Sequence, residues 1–359
     1  MSPVNTKKER VLLAMSGGVD SSLAVLLLQR DGYDVVGVTF KLVDGSRCCD
    51  VEAVGHAAEV CKRFGIEHHV IDISREFDDV VIGYFISELA SGRTPNPCVI
   101  CNRFLKFEQL FKFAREFKCS KVATGHYARI CSSRDGSWQL LKGRDRTKDQ
   151  SYYLSFLKNS WLPKIIFPIG GFEKSEIYKM AKKEGLDFLV DKKQSQDLCF
   201  VDDKLRKTFV EKRIGSRAGK TGDIVSVDGE KLGSHDGVHN YTIGQRKGLD
   251  ISDGQGPYFV VGFKGSNVVV SRNEKDPTLY SNVVELKSIN LVSSADLSAG
   301  ASVSVMAKIR YQQKLSRAKL FAPARDGRLE FSRPVRAVTK GQVAVFYKGK
   351  VCLGGGIIN

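Results

Sequence analysis

Three short stretches of this 359-residue chain combine residue types that do chemistry together. The first runs Ser16-Gly17-Gly18-Val19-Asp20-Ser21-Ser22, led in by Ala14 and Met15. Its glycines let the backbone turn tightly and approach a ligand, its serines add hydroxyl donors, and a helix starting there would offer N–H groups to phosphate. An ordinary helix cap explains an Asp or a Ser at such a turn, but not the whole run. The second is Thr94-Pro95-Asn96-Pro97-Cys98-Val99-Ile100-Cys101-Asn102. Two prolines stiffen the backbone ahead of a Cys-x-x-Cys pair, and Arg103 or Lys106 could lower a thiol pKa. Half of a zinc site completed by Cys48 and Cys49, a redox pair, and a nucleophile with a neighbouring thiol all compete for that pattern; a thioredoxin-like pair lacks its preceding strand. The third is Ser195-Gln196-Asp197-Leu198-Cys199-Phe200, a lone cysteine flanked by Lys192, Lys193, Lys204 and Arg206. A structural buried cysteine would not usually sit in so polar a stretch, and positive surroundings favour the thiolate, hence a nucleophile or a sulfur carrier.

Weaker signals surround these. Thr124-Gly125-His126-Tyr127-Ala128-Arg129 follows a predicted strand, and Lys148-Asp149-Gln150-Ser151-Tyr152-Tyr153-Leu154 sets charge and aromatics at a helix start, suited to phosphate and base contacts or to a solvated cap. Residues 215–221 imitate a phosphate-binding P-loop, but only three residues separate Gly215 from Gly219 where four are needed, and a strand-like run follows where a helix is required. They read as a basic β turn. His235 and His239 lie in a Gly-rich run without a third ligand at metal spacing, so that region reads as a structural turn. His68 and His69 border a strand and receive no role.

The elements that must position these groups alternate through the first 125 residues. Strands are expected at 11–15, 35–40, 70–73 and 122–124, and helices at 21–31, 51–64, 77–89 and 104–117. This alternation implies a parallel sheet covered on both faces, whose ligand sits at the carboxyl ends of the strands, in the loops after Met15, Phe40 and Thr124. From 158 to 209 the reading stays helical, with Gly185 as a stop signal. Residues 215–275 are Gly-rich with short strands, and from 282 onward nearly all is strand, for example the alternation Val303, Val305, Ala307, Ile309, Tyr311. A small barrel or sandwich is expected there.

Length fits two or three domains, and composition is that of a globular chain: 42% hydrophobic and 27% charged. No stretch approaches a membrane span. Nine scattered cysteines do not suggest a secreted disulfide framework, so the chain is expected in the cytoplasm. The charge departs from the ordinary: 56 Lys plus Arg against 40 Asp plus Glu leave +16, with a pI near 9.4. Residues 301–359 hold twelve of the cations against Asp326 and Glu330, a net 12 − 2 = +10. A polyanion, nucleic acid before membrane, is the expected partner, held by that C-terminal module.

In order along the chain, SGGVDSS, TPNPxxxCN, TGHYAR, KDQSYYL, SQDLCF, HDGVHNYTIGQRKGL, RYQQ and GQVAVFY resemble the tRNA-specific 2-thiouridylase family, within the PP-loop superfamily that cleaves ATP between its α and β phosphates. The resemblance spans nearly the whole chain. It implies an α/β fold: a Rossmann-like PP-loop domain over residues 1–208, a small β-rich central domain over 209–276 and a C-terminal β-barrel that binds tRNA over 277–359. It implies ATP with magnesium as cosubstrate, held by Ala14, Met15, Ser16, Gly17, Gly18, Val19, Asp20 and Ser21, with Phe40 and Gly125 beside the adenosine. Cys199 would carry a persulfide received from a sulfur-relay protein or a cysteine desulfurase, and Cys101 would be the second catalytic thiol, ending in a Cys101–Cys199 disulfide. Asn96, Pro97 and Cys98 would contact the target base, His126, Lys148, Asp149 and Gln150 the anticodon arm, and Arg310, Tyr311 and Gln342 further tRNA positions. Cys98 stands where many relatives carry Asp, so a proton-transfer role is not expected of it. An iron–sulfur cluster on Cys98, Cys101 and Cys199 is an alternative to the metal-free persulfide route. A PP-loop synthetase of small molecules would have no use for Cys101 and Cys199, and a noncatalytic tRNA-binding protein no use for intact Asp20 and Ser21.

Overall fold

The computed structural model describes residues 8–43, 51–190, 198–215, 221–293, 302–322 and 326–359. Cys48 and Cys49, the 195–197 part of the Cys199 loop and most of the false P-loop lie outside these. The first domain is built on β1 (Arg10–Ala14), β2 (Asp34–Lys41), β3 (Glu67–Asp72) and β4 (Lys121–Thr124). The apolar centre of β1 is buried, as a central parallel strand covered on both faces requires. The helix Val19–Arg30 follows β1 and buries Leu23, Ala24, Val25 and Leu28. Two features were not expected. The hairpin β5 (Ala128–Ser132) and β6 (Trp138–Lys142) follows β4, and the short β7 (Ile165–Ile166) completes a parallel sheet of order β3-β2-β1-β4-β7. The 158–209 region is less helical than its sequence pattern suggested: among its described residues the α-helices are Lys174–Lys183 and Arg206–Ile214, with 3-10 turns before and between them.

Chain order reverses beside β1: β2 and β3 lie on one side, β4 and β7 on the other. That switch point opens a crevice beyond the carboxyl ends of β1 and β4, between the loops that follow them. The central domain is a four-stranded sheet of β8 (Gly222–Ser226), β9 (Lys231–His235), β10 (Phe259–Lys264) and β11 (Asn267–Ser271). Its core gathers Ile224, Tyr258, Val260, Val268 and Val270.

The last six strands are β12 (Tyr280–Leu291), β13 (Ser302–Lys308), β14 (Ser316–Phe321), β15 (Gly327–Arg336), β16 (Val343–Lys348) and β17 (Val351–Ile358). They close into an antiparallel barrel because β12 pairs with both β15 and β17. Glycine permits the closure: a Cβ on Gly354 would overlap the Asn290 carbonyl, and one on Gly356 would press on Ile289 at 3.1 Å. The basic module does not stand apart from the first domain. β17 also pairs with β6 through Val351–Leu141 and Cys352–Leu140, so barrel and hairpin share one eight-stranded sheet. Val343, Val345, Tyr347 and Cys352 belong to the same buried cluster as Leu12 and Val36.

Candidate active site

The PP-loop closes over the crevice at the switch point. Gly17 adopts φ +69°, and a Cβ there would overlap the Ala53 carbonyl. Gly125, after β4, approaches the loop so closely that a Cβ would stand 2.9 Å from the Ser21 amide nitrogen. Gly18 differs: the nearest protein atom to its Cβ position is Ser16 Oγ at 3.7 Å, so packing does not demand glycine, while a bare helix start suits an approaching phosphate. No side chain caps the helix it begins. Ser21 Oγ donates to the Gly18 carbonyl at 3.0 Å and accepts from the Ser16 amide at 3.2 Å, holding the loop in its turn.

Asp20 is fixed from behind. Lys174 Nζ donates to both of its carboxylate oxygens at 2.7 Å and the Tyr127 hydroxyl donates to Oδ1 at 2.7 Å. Lys174 is only 7% exposed, with Tyr127 and Tyr178 rings beside its ammonium. Burial lowers its pKa while Asp20 raises it. Lys174 escaped the sequence reading, yet a signal existed: a lysine at the first position of a helix opposes the helix dipole, a local cost usually met at sites with a purpose.

A cavity of about 280 Å³ lies in front of this loop, lined by Ala14, Met15, Ser16, Asp20, Ser21, Phe40, Thr124 and Gly125 among others. A second cavity of about 480 Å³ adjoins it and is lined by Asn96, Pro97, Cys98, Cys101, Tyr153, Leu198, Cys199 and Arg206. Leu42, Cys101, Lys106, His126 and Gln150 line both. Two cysteines 98 positions apart thus meet one cavity, and Cys101 stands where it joins the nucleotide side. Asn96 begins the short helical turn Pro97–Ile100 and accepts from the Val99 amide at 3.3 Å. A π-helical turn, Cys101–Lys106, continues it; the Phe107 amide donates to the Asn102 carbonyl five residues back. Such turns are uncommon and frequent at functional sites.

His126 is held by a 2.7 Å hydrogen bond between Nδ1 and Thr124 Oγ1, with Phe107 and Phe167 rings at 6.3 and 6.0 Å. Burial, then the charge of Lys106, push its pKa well below the usual histidine value, so it is neutral at pH 7. The unfolded chain takes up this proton near pH 6.5 and the folded chain does not. Stability therefore falls as pH drops below about 6.5, by at most about 1.4 kcal/mol per pH unit from this group. Denaturant titrations of the native chain and His126→Gln across pH 5 to 7.5 should differ by that slope.

The remaining expected residues divide. Gln150 lines both cavities, and its Oε1 accepts from the Tyr127 amide at 2.9 Å. Lys148 is half-buried in the same loop. Asp149 is 9% exposed, and its carboxylate accepts from the Gly143 and Ser151 amides and the Ser151 hydroxyl, so its charge shapes the loop from within. Arg310, Tyr311 and Gln342 sit at a seam between domains. Arg310 donates to the Ile243 and Ala337 carbonyls and to Thr339 Oγ1, joining central domain to barrel. Tyr311 packs on Tyr153 at 4.6 Å. Gln342 Nε2 donates to the Thr94 carbonyl at 3.0 Å, and the Thr94 amide to Lys340 O at 2.9 Å, so the barrel grips the Asn96–Pro97–Cys98 loop directly. Thr242 of the central domain meets Thr94 as well, Oγ1 to Oγ1 at 3.0 Å. Gln342→Ala should lower stability by about 1 kcal/mol and reduce turnover while leaving ATP affinity unchanged, as thermal melts and steady-state kinetics would show.

Cys98, Cys101 and Cys199 share the wall of the second cavity, yet among the described residues no three His, Cys, Asp or Glu side chains form a metal-holding group. His235 accepts from the Gly237 amide and bonds the Ser266 carbonyl, in keeping with a structural turn.

A five-stranded parallel sheet with a glycine-rich loop at its switch point defines a PP-loop nucleotide-binding protein, here with Cys101 in the wall of the nucleotide-side cavity and Cys199 in the wall of the adjoining one. Family models match three successive stretches: the tRNA methyl transferase HUP domain at 9–203, the tRNA methyl transferase PRC-barrel domain at 207–272 and the aminomethyltransferase beta-barrel domain at 282–358. The chain belongs to the tRNA-specific 2-thiouridylase family. The tRNA-specific 2-thiouridylase MnmA of Acidithiobacillus ferrooxidans is 42% identical over 352 residues, 98% of each chain. That of Staphylococcus aureus is 39% identical over 365 residues, 99% of this chain and 96% of its own. Among solved structures, the U34-tRNA thiolase NcsA from Methanococcus maripaludis is similar over 60% of this chain and 71% of its own, at 19% identity and a TM-score of 0.36, too distant to inform the chemistry.

Proposed function

We propose that the chain is a tRNA-uridine 2-sulfurtransferase acting on the anticodon wobble uridine. The observation that carries this is the joined pair of cavities, with the PP-loop in the wall of one and Cys101 and Cys199 in the wall of the other. The uracil C2 oxygen attacks the ATP α-phosphorus, pyrophosphate leaves, and the oxygen bound to C2 becomes a leaving group as AMP. The outer sulfur of a Cys199 persulfide attacks C2 and displaces AMP. The Cys101 thiolate then attacks the inner sulfur; the old S–S bond breaks with its electron pair on the departing sulfur, which stays on the base, and a Cys101–Cys199 disulfide remains. Methyl transfer, named in two of the domain descriptions, has no use for an ATP loop whose cavity adjoins one lined by two separated thiols.

The residues present fit ATP: Gly18 leaves backbone bare for phosphate, Gly17 and Gly125 let the loop and the β4 turn close on one another, and Phe40 and Gly125 wall the adenosine side. Asp20, the carboxylate in the wall of the nucleotide-side cavity, would hold magnesium beside its Lys174 pair, and the ion would neutralise phosphate charge. The division at 1–208, 209–276 and 277–359 is part of this reading, as are an upstream persulfide donor, the tRNA anticodon arm as partner and action in the cytoplasm. Among the described residues no helix is long and apolar enough to cross a membrane.

The test is which nucleotide appears. With tRNA bearing an unmodified wobble uridine, ATP should yield AMP and pyrophosphate. ADP and phosphate, or cleavage equally fast without tRNA, would contradict the reading.

A further inference from the structure

Among the described residues, Lys106 is the only lysine or arginine in the wall of the nucleotide-side cavity, and it lines the thiol-side cavity too. The π-helical turn puts it there. On an α-helix, a residue five positions on lies about 140° around the axis. The wider turn from Cys101 to Lys106 narrows that angle, so cysteine and lysine face the same two cavities. Lys106 is half-buried, and no carboxylate among the described residues pairs with it. Its neighbours are treated differently: Arg103 is tied to Glu108 at 3.0 Å and Lys158 to the same Glu108 at 2.9 Å. A partly desolvated ammonium without a counter-ion is costly unless a ligand supplies the anion. Its charge is felt inside the site, since it helps to keep His126 neutral.

We propose that Lys106 is a catalytic residue of the adenylation step, its ammonium holding a non-bridging oxygen of the ATP α-phosphate while that phosphorus passes from pyrophosphate to the uracil oxygen. The inference rests on the function proposed above. In the step, the O2–phosphorus bond forms as the bond from phosphorus to the pyrophosphate oxygen breaks. The electron pair leaves on pyrophosphate and the uracil N3 proton passes to solvent. Lys106 gives up no proton; it stabilises the charge that gathers on the equatorial oxygens. His126, neutral beside it, leaves Lys106 as the cation of the junction.

The test measures pyrophosphate release in a single turnover with saturating ATP and unmodified tRNA, for the native chain and for Lys106→Met, Lys106→Gln and Lys106→Arg. The two neutral variants should release pyrophosphate at least about 100-fold more slowly, with smaller changes in KM for ATP and in tRNA affinity. Arginine, which keeps the charge, should recover most of the rate. Native rates in either neutral variant, a loss confined to KM, or an arginine variant that is folded and as slow as the neutral ones would overturn the proposal. A native chain that releases no pyrophosphate would instead overturn the reading of function, a separate signature.

Discussion

Cys199→Ser should lower 2-thiouridine formation by about 10⁴-fold or more, the scale expected when the attacking atom itself is removed, while pyrophosphate release continues. The two halves of the reaction separate because the residues proposed to hold ATP and the thiol proposed to deliver sulfur line different cavities. Cys101→Ser should fail later. The outer sulfur can still attack C2, but nothing cleaves the link between Cys199 and the base, so a protein–tRNA adduct should accumulate and be released by an added thiol reductant. Gel electrophoresis of labelled tRNA with and without reductant distinguishes the two variants. If Cys199→Ser thiolates tRNA at the native rate, sulfur reaches the base by another route.

The second large effect is expected at Gly17. Alanine there must adopt a left-handed backbone, costing about 1–2 kcal/mol, and its methyl would overlap the Ala53 carbonyl. The loop must move, and with it the bare N–H groups that receive phosphate. KM for ATP should rise by roughly tenfold or more, the factor that each 1.4 kcal/mol of lost binding brings. Gly136→Ala is the control: it is also left-handed, at φ +81°, but a Cβ there meets nothing within 4 Å. It should lose some stability and keep its ATP kinetics. Gly18→Ala adds a sharper comparison, because the protein has room for that methyl and any loss of ATP binding reports the ligand's own approach.

What could be read from the chain before its fold divides along physical lines. The sheet strands before and after the PP-loop, and the crevice they form, follow from local patterns: continuous apolar runs, periodic helices and glycines where a strand meets a helix. The hairpin Ala128–Ser132 and Trp138–Lys142 was missed because its strands are short and half-buried, and because its stability comes from pairing with Val351 and Cys352, more than two hundred residues away. Ile165–Ile166 was missed for a similar reason, being two residues that count as a strand only beside Val122 and Ala123. At the site, Cys101 and Cys199 were legible as reactive types, but their shared cavity depends on long-range packing such as Phe200 against Phe77 and Phe85. Gln342 was legible only as a possible RNA contact. The structure shows a nearer role, gripping Thr94, that no local pattern contains.

The most direct measurement of the central claim loads Cys199 with a ³⁵S persulfide, removes the donor, and adds ATP and unmodified tRNA for one turnover. The account predicts that label moves to 2-thiouridine in digested tRNA only when ATP is present, with a Cys101–Cys199 disulfide left in the protein. Label that stays on Cys199, or 2-thiouridine that forms unlabelled or without ATP, would contradict it.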